Sequence, residues 1–399
     1  MKNIYSPLRS LREGNWFKLI CGASYQHLPA IRNLTLAYTL AGADCIDVAA
    51  DPAVVAAARE GLKAAACLGE EARKRGFGFQ GLPWLMVSLN DGEDPHFRKA
   101  EFNSAECPIE CWRPCEKVCP ADAIVFDRIN DNFSGVIDQL CYGCGRCIPI
   151  CPSKLVFTRS YVSTPEVVAP LVLQNDVDAL EIHTQVGRLP DFARLWQAIL
   201  PSIDRLKLIA VSCPDGEGLI DYLRSLFNLI QPLPCPLIWQ TDGRQMSGDI
   251  GDGTTHAAIK LGQKVLSAGL PGYVQLAGGT NSHTVTKLKI SGLLNLEMDT
   301  RDWPKFPIPH SQNYIAGIAY GSYARVLLSP VLEQLEKIEM SSHFPSAEHY
   351  GYRTTTAMTK ETSSSLPPVR LEDNPQLLWQ AVALARSLVS QIKSPICVV

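Results

Sequence analysis

The run CYGCGRCIPICP, from Cys141 to Pro152, places Cys141, Cys144, Cys147 and Cys151 at x₂, x₂ and x₃ spacing, with a proline directly after. That is the bacterial ferredoxin spacing for a [4Fe–4S] cluster. Three closely spaced thiolates wrap one corner of a cubane, while Gly143 and Gly145 let backbone N–H groups approach its sulfides. The proline turns the chain away, leaving the fourth cysteine to reach a second cluster.

A second cysteine run must therefore lie nearby. CPIECWRPCEKVCP, Cys107 to Pro120, holds four cysteines, each separated from the next by three residues. Its last step and its proline fit the ferredoxin box, but its first two steps are each one residue too long. In two-cluster ferredoxins each fourth cysteine serves the other cluster. On that scheme cluster II takes Cys141, Cys144, Cys147 and Cys119, and cluster I takes Cys107, Cys111, Cys115 and Cys151. The segment between the boxes, PADAIVFDRINDNFSGVIDQL, fits a short helix and a hairpin. Other readings of the first box are one cluster beside a labile or three-iron site, a cysteine-lined helix face, and a four-thiolate zinc site. Pro114 opposes the helix, at about 3 kcal/mol for an internal proline. Zinc has no need of a second box crossing to it.

Eight of the fourteen cysteines fall between Cys107 and Cys151. In a reducing compartment such density indicates metal binding rather than disulfides. The other six (Cys21, Cys45, Cys67, Cys213, Cys235 and Cys397) stand alone, mostly among apolar residues, and read as small buried hydrophobes.

Outside the cysteine region, strand and helix patterns alternate. WFKLICGA (Trp16–Ala23), DCIDVAA (Asp44–Ala50) and PWLMVSLN (Pro83–Asn90) read as strands before it. DALEIHT (Asp178–Thr184), LKLIAVSC (Leu206–Cys213), CPLIWQTDG (Cys235–Gly243), GYVQLAGGTN (Gly272–Asn281) and AGIAYGSYAR (Ala316–Arg325) follow it. Amphipathic helical patterns separate most of them. Asp51-Pro52 starts one helix, with Asp as N-cap and Pro at the first position. Eight strand–helix repeats predict an α/β fold, a (β/α)₈ TIM-like barrel, with the ferredoxin-like domain inserted after strand three at the C-terminal face. An open doubly wound sheet is the alternative. The expected divisions are 1–95 and 161–340 for the barrel, 96–160 for the two-cluster insertion, and 341–399 for a Ser/Thr/Pro-rich linker and a last amphipathic helix that packs on the body.

The chain's 399 residues are 46% apolar, enough for a large core, and its net charge of −3 gives no sign of a nucleic-acid partner. No apolar run approaches the ~18 residues of a membrane span, and the N-terminus lacks a signal peptide's apolar stretch. The expectation is a soluble, cytoplasmic protein.

Two Gly-rich strand ends, QLAGGTNSHT and AYGSYAR, close predicted strands seven and eight, where barrels often bind phosphate. Gly278, Gly279, Thr280, Ser282, Gly321 and Arg325 are the candidate residues, and FMN the candidate cofactor, since a flavin beside iron–sulfur clusters forms an electron path. Simple turns are the plainer reading. After strand six, Asp242, Arg244, Asp249, Asp252 and His256 could form a substrate or metal site, or a solvated loop. Glu181 and His183 share one strand face, and Asp47 ends strand two. Each reads first as a satisfied buried polar group.

FKLICGASYQHLPAIRNLTLAYTLAGADCIDVAADP, the two cysteine boxes and QTDGRQMSGDIGDGTTH…VQLAGGTN together resemble the light-dependent period family of cyanobacterial and plastid iron–sulfur proteins. The likeness runs nearly the full length. It implies a redox-responsive input to the circadian clock that associates with clock components and senses cellular or quinone-pool redox state, and it carries the family's cluster ligands onto the eight cysteines named above. Electron exchange with ferredoxin is a further partner expectation, in the cyanobacterial cytosol or plastid stroma. The reading favours a non-enzymatic redox sensor. The alternative is a flavin-dependent oxidoreductase whose ferredoxin module feeds electrons to a barrel active site. Catalytic residues are not identified.

Overall fold

The computed structural model describes residues 7–21, 28–92, 98–119, 122–127, 133–138, 140–141, 147–160, 177–243, 253–294, 313–343 and 369–393. Eight parallel strands close into a barrel: β1 (Trp16–Ile20), β2 (Cys45–Ala49), β3 (Trp84–Asn90), β8 (Ala179–His183), β9 (Leu208–Pro214), β10 (Leu237–Asp242), β11 (Tyr273–Ala277) and β12 (Gly317–Tyr320). Each pairs with its neighbour in chain order, and β1 closes on β12 through Trp16↔Gly317 to Leu19↔Tyr320. Closure rules out the open sheet. Four short strands lie between β3 and β8 in the chain. β4 (Arg98–Glu101) pairs antiparallel with β7 (Phe157–Ser160), and β5 (Ile124–Val125) with β6 (Gly135–Val136).

The strands read as apolar runs because both faces are buried. Outward side chains such as Phe17, Leu19, Ile46, Val87, Ile182, Val211, Trp239 and Leu276 pack under the helices. Inward ones at the N-terminal end (Trp16, Cys45, Met86, Ala179, Leu208, Ala210, Ile238 and Tyr273) form an apolar plug, which Leu11 of the helix Pro7–Glu13 closes from below. Asp51 caps the helix Pro52–Lys74, its Oδ1 accepting from the N–H groups of Ala53 at 2.8 Å and Val54 at 3.4 Å.

The last helix, Pro375–Lys393, packs on the helices Leu28–Ala41 and Ser322–His343. Leu378, Ala381, Val382, Ala385, Leu388 and Val389 face inward. Polar clamps hold its two ends: Arg32 pairs with Glu372, and Lys393 Nζ lies 2.5 Å from the buried Asp44. Trp379 stacks on Phe77 at 5.6 Å and carries the Arg75 guanidinium over its ring at 4.5 Å. The Ser/Thr/Pro-rich stretch expected as a linker lies outside the described residues. Among the described residues, no helix is long and apolar enough to cross a membrane.

Candidate iron–sulfur centre and barrel mouth

The cysteine-rich region builds its own small core from Ala100, Cys115, Ala123, Ile124, Cys141, Cys147 and Val156, with Phe102 and Phe126 in contact at 5.6 Å. Seven of the eight box cysteines are described; Cys144 lies outside the described residues. Cys115, Cys141 and Cys147 are buried, and Cys107, Cys111, Cys119 and Cys151 are half-buried.

Several sulfurs already meet backbone donors. Ala100 N–H donates to Cys141 Sγ at 3.3 Å, and Ala123 N–H to Cys119 Sγ at 3.2 Å. Burial alone would raise the Cys151 thiol's pKa. The N–H groups of Val156, Leu155, Ser153 and Lys154 outweigh that and hold it below the usual thiol range. Lys154 adopts φ +52, the left-handed turn that lets successive N–H groups converge on an anion. The other positive-φ non-glycine residues described, Arg113, Asp122 and Asp127, also lie in this region. Backbone strain is concentrated around the cysteines, as at other functional sites.

Cys107, Cys111, Cys115 and Cys151 act on one another. Burial raises the Cys107 pKa first, and the neighbouring Cys111 and Cys151 add to it. Burial also raises Cys115, with Cys151 and Cys107 contributing. Among the described residues, no three His, Cys, Asp or Glu side chains stand close enough to hold a single ion. Thiols of this number, with amide donors aimed at sulfur, fit an iron–sulfur cluster.

The region joins the barrel at its C-terminal face. Asp51, which caps the helix following β2, is raised by its burial and lowered in part by the Lys99 ammonium from β4. The barrel interior there is polar. Lys18 Nζ, fully buried, lies 2.9 Å from Asp47 Oδ2, donates to Gln240 Oε1 at 2.8 Å and pairs with Glu181. Gln240 Nε2 donates to Glu181 Oε1 at 2.6 Å, Gln275 Nε2 to Gln240 Oε1 at 2.6 Å, and Trp16 Nε1 to Gln275 Oε1 at 2.7 Å. Burial alone would lower the Lys18 pKa, but Asp47 and Glu181 together raise it. Burial pushes Asp47 up to about 6 against the pull of Lys18, with Glu181's like charge adding. His183 Nε2 lies 3.3 Å from Glu181 Oε1, and its side chain is 36% exposed, linking this network to the mouth.

Of the phosphate-site candidates, Gly278 and Gly279 follow directly after β11 with φ +62 and +96. A Cβ on Gly279 would lie 2.8 Å from Thr254 O, so close packing alone demands that glycine. Thr280 Oγ1 donates to Ala319 O at 2.6 Å, and Ser282 is half-buried. Arg325, in the first turn of the helix after β12, donates to Ile20 O and to Ser322 Oγ, each at 3.1 Å. Gly321 lies beside it; a Cβ there would stand 3.6 Å from Arg325 Nη1. Asp242 accepts from Ser212 at the end of β10, whereas His256 is exposed on the helix Thr255–Ser267. Arg244, Asp249 and Asp252 lie outside the described residues.

Cys21, Cys45, Cys213 and Cys235 are buried as expected, and Cys397 lies outside the described residues. Cys67 is exposed, because it falls on the outward face of the helix Pro52–Lys74. Sequence reasoning passed over Lys18, Ser88, Ser212, Gln240 and Gln275. The available signal was parity: nearly every barrel strand carries a polar residue at an inward position.

A closed (β/α)₈ barrel with an iron–sulfur-binding domain set between its third and fourth strands defines the class of this protein. The chain belongs to the light-dependent period A family. The family's iron–sulfur cluster-binding domain matches residues 107–162, and its C-terminal domain matches residues 171–391. The chain is 45% identical over 390 residues to light dependent period A of Synechococcus elongatus, covering 98% of this chain and 94% of that protein. A shorter stretch of 63 residues is 35% identical to one component of an ion-translocating oxidoreductase complex from Methanosarcina acetivorans, covering 15% of this chain and 23% of that component.

Proposed function

We propose that the chain is a redox sensor carrying two [4Fe–4S] clusters, passing light-dependent redox state to the circadian clock. The observation that carries this is that Cys107 and Cys115 of the first box each feel Cys151 of the second electrostatically. That is the crossed pairing a two-cluster ferredoxin uses. Cys107, Cys111, Cys115 and Cys151 hold cluster I; Cys141, Cys144, Cys147 and Cys119 hold cluster II. The clusters supply one-electron chemistry when bound, and the chain's own amides set how readily the thiolates form. Residues 96–160 act as the ferredoxin-like unit and the barrel as the platform that presents it. The relative named for light-dependent period supports the timing role. The partners are redox carriers such as ferredoxin or a quinone pool, and clock-input proteins, in the cytosol or stroma.

The flavin reading rests on Gly278, Gly279, Thr280, Ser282, Gly321 and Arg325. The lumen weighs against it. Asp47, Glu181 and Asp242 outnumber Lys18 there, and a reduced, anionic flavin ring would meet that surplus of carboxylate.

Anaerobic purification followed by iron and sulfide assays and absorption spectroscopy tests the proposal. About eight irons per chain are expected, with Cys107→Ser and Cys141→Ser each losing about four. Cys107→Ser retaining all its iron would overturn the ligand assignment. A flavin band near stoichiometry would move the conclusion to the oxidoreductase.

A further inference from the structure

Among the described residues of the barrel mouth, one cation, Arg325, has no carboxylate partner. Arg325 is partly buried, and its guanidinium donates only to the neutral acceptors Ile20 O and Ser322 Oγ. Among the described residues no carboxylate reaches it. Removing a guanidinium from water without an anion is costly, and the barrel maintains that cost at its functional end.

Two features beside it suit an anion. Arg325 lies in the first turn of a 22-residue helix, Ser322–His343, whose N-terminal dipole favours negative charge. Next to β12, the chain leaves β11 through Gly278 and Gly279, both at positive φ. Among the described residues, neither N–H meets an acceptor.

The far side of the mouth has the opposite character. In ring order β8 stands four strands from β12, directly across an eight-stranded barrel. It ends in His183, whose Nε2 lies 3.3 Å from Glu181 Oε1 and whose side chain is 36% exposed. Two strands along, Asp242 is half-buried and accepts from Ser212 and Gln240. Among the described residues on this arc, Arg188 is drawn to Asp91 at 3.6 Å, which leaves Asp242 and His183 as groups that could accept from a ligand.

We propose that the barrel mouth binds a small phosphate monoester bearing an amine, its phosphate on Arg325 and Gly278 and its ammonium on Asp242 and His183. A dipolar molecule satisfies both arcs at once. An anion alone satisfies one, and an amine alone leaves the guanidinium unpaired. This site is independent of cluster ligation.

Calorimetric titration of the anaerobically purified, cluster-loaded protein tests this, with inorganic phosphate and phosphoethanolamine as probes. Both should bind at one site per chain, phosphoethanolamine at least about tenfold tighter, the value of one charge-assisted contact. Arg325→Gln should weaken both by about tenfold or more, while Arg325→Lys, which keeps the charge, should retain most of the affinity. Asp242→Asn should leave phosphate within about twofold and cancel the advantage of phosphoethanolamine. Thermal melts of the variants show whether the barrel is intact. The proposal fails if phosphate does not bind, if Arg325→Gln binds it undiminished in a folded protein, or if the two probes bind alike in the wild type.

Discussion

Lys18 sits where burial alone would strip an ammonium of its proton, and two carboxylates keep it charged. The cluster therefore stands or falls together. Lys18→Met would leave Asp47 and Glu181 facing each other without a cation. Breaking a buried pair in this way costs about 3–5 kcal/mol, readable as a lower urea midpoint. Asp47 gives a pH signature with a definite sign. Its folded pKa of about 6 lies above the ordinary aspartate value of 3.8. The unfolded chain thus releases this proton first, and the stability contribution falls as pH rises from about 4 to about 6. Asp47→Asn removes that titration but also weakens the pairing with Lys18, which gives a constant offset. Between pH 5 and pH 7 the stability gap should move in the variant's favour by about 1 kcal/mol. Urea unfolding at several pH values measures it. A gap that stays flat, or moves toward the wild type, would show that Asp47 is ionised throughout.

At the scale of elements, the last helix is a fixed part of the barrel wall. Leu378 is 2% exposed and packs in the main core. Leu378→Ala should cost about 2–5 kcal/mol, the range for a buried leucine, while leaving the iron content unchanged. Loss of iron on that substitution would mean that helix and clusters are coupled. The barrel strands were legible because strands buried on both faces must be apolar throughout, and because the Asp51-Pro52 cap marks a helix start without tertiary context. The cluster boxes were legible because covalent spacing fixes them. What escaped was non-local. β4 and β7 are four residues each and lie 55 residues apart along the chain, so neither carries a pattern until the other is beside it. The lumen network escaped for a related reason. One polar residue per strand looks incidental until closure brings Lys18, Asp47, Glu181, Gln240 and Gln275 to one axis.

Taken as a whole, the molecule sets a strained, partly exposed iron–sulfur region against the mouth of a rigid barrel, and the two halves of that region differ in exposure. The steps of the first box that are one residue too long for a ferredoxin display Ile109 at 97% and Trp112 at 60% exposure. Of the cysteines assigned to cluster I, Cys107, Cys111 and Cys151 are half-buried and Cys115 is buried; of those described for cluster II, Cys119 is half-buried and Cys141 and Cys147 are buried. On the proposed ligand assignment, water and oxygen should reach cluster I first, and solvent exposure is among the factors that tune a cluster's potential and lability. Trp112 adjoins Cys111 and has Lys117 Nζ 5.4 Å from its ring centroid. An indole next in sequence to a cluster ligand should be quenched while that cluster is bound. On slow admission of air, the first iron to leave, about half the total, should be accompanied by a rise in tryptophan fluorescence, and the second half by little further change. Trp112→Phe should remove that early rise without altering the iron-release curve. Iron loss in a single phase, or a rise that persists in Trp112→Phe, would show that the lengthened box does not make cluster I the more exposed of the two.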